Sequence, residues 1–257
     1  MFDDLKGKVV VVTGGVTGIG GAASLAFAAA GAKVIAQYLG GGTELQQVEA
    51  AGVTTIKLDL TADGAPEALM DAALSKFGRI DVLVNNAGSL VARIPVTDLD
   101  DPFIDKVFDV NCRQLIHCCR IAARVMRDQK SGNIINVTSI AARNGSSPGG
   151  SVYAGAKAFI SAFSKTLAKE LVGHGVRVNC VSPGLVATAI WDDIKAAATS
   201  KADCEAFWRR NVPLQRIIDP AEVAAAVVFL LSPAASAVTG VDIVVDAGML
   251  AQLVSNG

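Results

Sequence analysis

The 257-residue chain lacks any charge imbalance: 23 Lys and Arg against 24 Asp and Glu leave a formal net charge of −1, and no basic run stands out. Nucleic acid is therefore not an expected partner, because a polyanion is held by clustered cations. Long hydrophobic runs are missing too. Stretches such as Val223 to Leu231 stop far short of the roughly 20 apolar residues a membrane span needs, so no membrane association is expected. The opening Met1-Phe2-Asp3-Asp4-Leu5-Lys6 has neither the basic nor the apolar region of a secretory signal, and a cytoplasmic location is the expectation. Five cysteines (Cys112, Cys118, Cys119, Cys180, Cys204) form no disulfide framework and no C-x-x-C pair. His117-Cys118-Cys119 is the one run with metal-ligand chemistry. Consecutive helix positions point about 100° apart and do not converge on one ion, so no metal site is expected.

What is present is an alternation. Lys8 to Thr13, Lys33 to Tyr38, Thr54 to Leu58, Ile80 to Val84, residues 133–138, Val176 to Val181 and Val241 to Val245 are short apolar runs of the kind buried in parallel sheets. Helical patterns separate them: to near Gly31, to about Ala51, Ala65 to Lys76, a long helix from Asp101-Pro102 to about Asp128, residues 152–172, and a helix opened by Asp219-Pro220-Ala221-Glu222. No linker, repeat or low-complexity tract interrupts the series. It predicts one α/β domain over residues 1–257, a doubly wound seven-stranded parallel sheet. The ligand then belongs at the C-terminal ends of the strands, beside strand one.

The first strand runs into Gly14-Gly15-Val16-Thr17-Gly18-Ile19-Gly20-Gly21 and then a helix. Strand, glycine turn and helix in that order suit a dinucleotide: glycines let the backbone approach a pyrophosphate, and the helix N-terminus offers free N–H groups. Further on, Tyr153-Ala154-Gly155-Ala156-Lys157 puts a phenol and an ammonium one turn apart on one helix face. An ammonium nearby is expected to pull a phenol's pKa down toward the range of acid–base work. Ser139, at the end of a strand, is placed to hydrogen-bond the same substrate oxygen.

Thr13-Gly14-x-x-x-Gly18-x-Gly20, Asn85-Asn86-Ala87-Gly88, Ser139, Tyr153-x-x-x-Lys157 and Pro183-Gly184, in that order along nearly the whole chain, resemble the short-chain dehydrogenase/reductase family. The resemblance implies a Rossmann fold and reversible hydride transfer between a nicotinamide dinucleotide and a small or medium carbonyl/alcohol substrate. It implies that Tyr153 is the acid/base and that Lys157 lowers its pKa and holds the nicotinamide ribose. Ser139 steadies the substrate oxygen, and Asn111 holds a water of a proton relay. For the cofactor it implies Gly14, Thr17, Gly18, Ile19 and Gly20 at the pyrophosphate turn, with Tyr38 closing strand two beside them. Asp59 and Leu60 fall at the adenine, Asn85, Ala87 and Gly88 at the adenosine ribose, and Pro183, Gly184, Val186 and Thr188 at the carboxamide. A carboxylate at a strand end, such as Asp59, also commonly caps the next turn. Ser139 and Tyr153 are 14 positions apart, one more than in many relatives, which bears on the shape of the loop Ala141 to Ser151.

Other classes stay in view. Gly145-Ser146-Ser147-Pro148-Gly149 fits the hydrolase pattern G-x-S-x-G, but it follows its strand too late for a nucleophile elbow. Only Glu170 and His174 are then on offer as acid and histidine. A catalytically silent dinucleotide binder, or an epimerase or dehydratase using the same Tyr/Lys pair, are the remaining alternatives. Arg93 and Arg143 near the expected mouth are candidate receivers of an anionic group. The stretch 189–211, without one clear period and carrying Trp191, Phe207 and Trp208, is expected to form a lid. Helices 101–128 and 152–172 carry apolar residues on more than one side (Phe103, Val107, Phe108, Leu115, Ile116; Phe159, Ile160, Phe163, Leu167), and with the resemblance this implies a homotetramer. No acid stands at Gln37-Tyr38-Leu39 to repel a 2′-phosphate, and no cation follows to attract one. Gln37, Thr43 and the N–H groups of Gly40-Gly41-Gly42 remain to nest it. Both NAD and NADP are expected to serve, with a slight lean to NADP.

Overall fold

A computed structural model describes residues 5–41, 43–188 and 200–251. Seven parallel strands, β1 (Val9–Thr13), β2 (Lys33–Tyr38), β3 (Thr54–Lys57), β4 (Val82–Asn85), β5 (Gly132–Val137), β6 (Val176–Pro183) and β7 (Asp242–Val245), lie in the order β3-β2-β1-β4-β5-β6-β7. The chain winds outward from β1 to one edge, returns to β4, and winds to the other. The order therefore reverses between β1 and β4, where the loops after the two strands part and leave a crevice.

Helices cover both faces of the sheet, whose central strands are buried on both. Val9 and Val11 of β1 turn to one layer, Val10 and Val12 to the other. On one face α3 (Ala65–Phe77), α4 (Asp101–Phe108), α5 (Gln114–Gln129) and α7 (Ser151–Leu171) contribute Leu69, Met70, Val107, Leu115, Met126 and Ile160. On the other, α1 (Gly18–Ala29), α2 (Thr43–Ala50) and α9 (Pro220–Leu231) contribute Phe27, Val48, Val223, Val227 and Leu230. The Asp219-to-Glu222 capping box forms as its sequence predicts.

Three elements differ from the sequence reading. The long helix from Asp101 is interrupted by a π-helical turn, Asp109–Arg113, between α4 and α5. Two side-chain amides insert there: Asn111 Nδ2 donates to the Val107 carbonyl at 2.9 Å and Gln114 Nε2 to the Val110 carbonyl at 3.0 Å. Groups competing for the i−4 carbonyl open a helix in this way. The loop Ala141 to Ser151 begins with a one-turn helix, α6 (Ala141–Asn144). Within the stretch 189–211, residues 201–211 form a regular helix, α8 (Lys201–Asn211), capped by Ser200 on the Asp203 N–H. The rest of the expected lid, with Trp191, lies outside the described residues, as do the side chains of Phe207 and Trp208.

Candidate active site

The crevice begins at the glycine turn. Gly14 and Gly18 have φ of +58° and +52°, conformations that cost an L side chain about 1–2 kcal/mol. A Cβ on Gly20 would fall on the Gly14 carbonyl, so only glycine lets the helix start pass under the turn. Thr17, the residue before α1, makes no side-chain cap to it, which leaves that helix's first N–H groups for an anion. Across the switch point, Thr13 Oγ1 accepts from the N–H of Asn86 and of Ala87, both at 3.0 Å. Asn86 Nδ2 returns to the carbonyls of Thr13 and Gly14. The two loops are thus stitched into one floor.

Two cavities share that floor. The first, about 310 Å³, takes Gly14, Thr17, Tyr38, Asp59, Leu60, Ala87 and Gly88 into its wall. The second, about 580 Å³, takes Thr17, Gly18, Ile19, Gly88, Ser139, Tyr153, Lys157, Pro183, Gly184, Val186 and Thr188. Thr17, Gly40, Asn86, Gly88 and Ser89 face both, so the pair reads as one elongated groove. A cradle of glycines, an uncapped helix start and an elongated groove fit a dinucleotide.

Some expected residues are placed otherwise. Asn85 lines neither cavity: it is buried, and its Nδ2 donates to Asn136 Oδ1 at 2.8 Å and toward Cys119 Sγ. Its neighbour Asn86 lines both. Asn111 also sits behind the wall, where it accepts from the Ser89 N–H at 3.2 Å and donates to the Ser89 carbonyl at 2.8 Å. It holds the loop after β4 by its backbone. Asp59 lines the first cavity, yet its Oδ1 caps the next turn through the Thr61 N–H and hydroxyl, which lower its pKa. Gln37 is not free to nest a phosphate: it is buried, its oxygen accepts from the Gly14 N–H at 2.8 Å and its nitrogen donates to the Leu58 carbonyl at 2.6 Å. Arg143 is taken as well, its guanidinium donating to the Asp242 carbonyl at 3.0 Å beside the Asp242 carboxylate. Among residues the sequence reading passed over, Ser89, Thr61 and Gln114 line the cavities; Glu44, the first acid after Gln37-Tyr38-Leu39, lines the second. Gln114 had a signal in its place three residues after Asn111 on a helix.

At the catalytic end the end of β5 and α7 converge. Ser139 Oγ accepts from the Ala141 N–H at 3.1 Å, which fixes its hydroxyl at the groove wall beside Tyr153. Lys157 is buried and donates to the Val137 carbonyl at 3.1 Å. Burial lowers its pKa to about 8, partly offset by the thiols of Cys112 and Cys180. Burial likewise pushes the Tyr153 phenol above its ordinary value, and its hydrogen bond with Ser139 offsets part of the rise. The net direction is opposite to the expected lowering; Lys157 Nζ lies over the Tyr153 ring, 5.7 Å from its centroid, and donates to a carbonyl and not to the phenol oxygen.

A family model described as enoyl-(acyl carrier protein) reductase matches residues 14–250. A 3-oxoacyl-[acyl-carrier-protein] reductase of Synechocystis sp. is 38% identical over 96% of this chain and 98% of its own. The chain belongs to the short-chain dehydrogenase/reductase family. A 3beta-hydroxysteroid dehydrogenase of Eggerthella lenta is 37% identical, covering 97% of this chain and 96% of that one. Among solved structures, an acetoin dehydrogenase from Enterobacter cloacae superposes with a TM-score of 0.84 at 31% identity over 97% of this chain and 98% of that one. As a member of this family the chain is an NAD(P)-dependent oxidoreductase acting on a CH–OH/C=O pair. Among the described residues no helix is long and apolar enough to cross a membrane.

Proposed function

We propose that Tyr153 gives and takes the proton while hydride passes between nicotinamide and a small or medium carbonyl/alcohol substrate in the second cavity. The observation that carries this reading is the convergence of Ser139, Tyr153 and Lys157 on a groove continuous with the glycine turn. A bound dinucleotide supplies or accepts the hydride. The chain's part is to position and to move a proton. Ser139, anchored by the Ala141 N–H, donates to the substrate oxygen; Tyr153 protonates that oxygen in reduction and deprotonates it in oxidation. Lys157 faces the ribose side of the same helix, and Asn111 keeps the Ser89 loop in place behind it. Gly14, Thr17, Gly18, Ile19 and Gly20 hold the pyrophosphate, Tyr38, Asp59, Leu60, Ala87 and Gly88 the adenosine, and Pro183, Gly184, Val186 and Thr188 the nicotinamide.

Both dinucleotides are usable, with a slight lean to NADP because no carboxylate stands at the end of β2. The commitment of Gln37 and the presence of Glu44 in the cavity wall keep that lean small. A kcat/KM preference for NAD above about a hundredfold, roughly 2.7 kcal/mol, overturns it. Arg93, with its guanidinium on the Ser147 carbonyl, stays as the candidate for an anionic group such as the carrier of the acyl reductases named above. Phe108 and Phe159 remain outward-facing, the latter stacked on Phe163 at 5.9 Å, and support a homotetramer. Phe103, Val107 and Leu115 turn into the core instead. Free, buried cysteines (Cys112, Cys118, Cys119, Cys180) suit a cytoplasmic location.

The test is a panel of ketones and alcohols with each dinucleotide. A net change in nicotinamide absorbance is expected. Dinucleotide binding without product would favour a silent binder, and product without net absorbance change an epimerase or dehydratase.

A further inference from the structure

One buried charge outside the residues assigned so far stands where four elements meet. Asp242 opens β7, and its side chain is 5% exposed. Its Oδ2 accepts from Ser161 Oγ at 2.6 Å and lies 3.6 Å from Arg143 Nη2. Its Oδ1 accepts from Ser182 Oγ at 2.7 Å and, more loosely, from Thr138 Oγ1 at 3.4 Å. The hydroxyls of Thr138 and Ser182 are themselves 2.5 Å apart. A carboxylate out of water needs its lone pairs filled, and here donors from four elements fill them. Each donor adjoins the groove. Thr138 precedes Ser139, and Ser182 precedes Pro183. Arg143 lies on α6, whose Ala141 N–H anchors Ser139 Oγ. Ser161 is one turn beyond Lys157 and two beyond Tyr153 on α7.

We propose that Asp242 is a positioning residue: by tying the ends of β5 and β6 to α6 and α7, its carboxylate fixes the Ser139 hydroxyl against the Tyr153 phenol. The inference rests on the reading of Ser139 and Tyr153 as a working pair, and it gives Arg143 a task other than binding substrate.

The chain contains two tyrosines, Tyr38 and Tyr153, so Tyr38→Phe leaves Tyr153 as the sole phenol. Titrating tyrosinate absorbance in that background reads its ionisation with no substrate needed. Two groups face the phenol: Lys157 from its own helix and Ser139 from the end of β5. Removing a negative charge alone would lower a phenol's pKa, whereas losing the Ser139 hydrogen bond raises it. The sign therefore separates positioning from simple electrostatics. Asp242→Ala is expected to raise the Tyr153 midpoint by about half a unit or more, the worth of one net hydrogen bond. Ser139→Ala should raise it as far, and the double variant no further. Asp242→Asn keeps an oxygen acceptor and should raise it less. Arg143→Met, which breaks one leg without opening the strand contacts, should move it in the same direction. A midpoint lowered or unmoved in Asp242→Ala, with Ser139→Ala raised, overturns the proposal. An unmoved midpoint in Ser139→Ala overturns instead the pairing on which it rests.

Discussion

The groove has two halves made from different materials. The end beside β1 is built from backbone: positive-φ glycines, an uncapped helix start, and carbonyls stitched by Asn86. The end beside β5 and β6 is built from buried polar side chains, with Lys157 and Tyr153 both shifted by burial and a carboxylate packed behind Ser139. A backbone site tolerates no added atom but stores little electrostatic cost. A side-chain site is the reverse: it has room, and it holds charges where water would hold them better. The first half suits binding a group whose chemistry never changes, the second a proton that must move.

That contrast breaks most visibly at Tyr153. Tyr153→Phe keeps the ring and removes the hydroxyl, so turnover should fall by about 10²–10⁴-fold while dinucleotide affinity by fluorescence titration stays within a few-fold. Near wild-type kcat would show that the proton travels by another route. In the backbone half, Gly20→Ala should abolish dinucleotide binding and cost about 3 kcal/mol in urea denaturation, since the new methyl meets the Gly14 carbonyl and Asn86 Nδ2. Retained affinity would mean that the turn yields more readily than its contacts imply.

Lys157 sharpens the comparison because function and stability should part there. Its pKa falls from 10.5 to about 8, so holding it charged below pH 8 costs the fold about 3 kcal/mol. Lys157→Met removes that cost and leaves the Val137 carbonyl unpaired, a loss of about 1–2 kcal/mol. The variant should be inactive yet more stable by about 1–2 kcal/mol at neutral pH. The sign of the pH dependence follows from the depressed pKa: between about 8 and 10.5 the unfolded chain holds the proton more tightly, so wild-type stability rises relative to the variant as pH climbs through this window. A gap constant across that window, followed by denaturant midpoints, would show that Lys157 is not strained by burial. The smallest effect is expected at Ala247, which has φ +54° just after β7. Ala247→Gly should gain about 0.5–1 kcal/mol, read as a rise in Tm with kcat unchanged.

The two halves were unequally legible in the sequence. Backbone constraints print themselves on residue type: a left-handed turn and a close approach leave glycine at Gly14, Gly18 and Gly20, and the spacing can be counted. The central strands were legible for the same reason, being buried on both faces. The side-chain half was legible only where two residues share a helix, as Tyr153 and Lys157 do. Spacing put them on one face without telling that the ammonium would meet the ring and a carbonyl, not the phenol oxygen. Asn85 and Asn86 are chemically identical neighbours, and the direction of the strand end alone decides which faces the groove. Asp242 left no trace, because its partners are 60 to 104 residues away in the chain.

The π-helical turn at Asp109–Arg113 carries a further implication, for how this site tolerates insertion and deletion. One residue beyond the regular helical count is held there, so everything from Gln114 onward is rotated by about 100° relative to a straight continuation of α4. Deleting a single residue between Phe108 and Gln114 would let the helix run on unbroken with Leu115 and Cys118 still facing the sheet, whereas straightening the turn with every residue kept would swing that face away. Substitutions at Val110 or Arg113 leave that arithmetic alone. The placement of Asn111 under Ser89 thus depends on the number of residues in this helix more than on the identity of most of them.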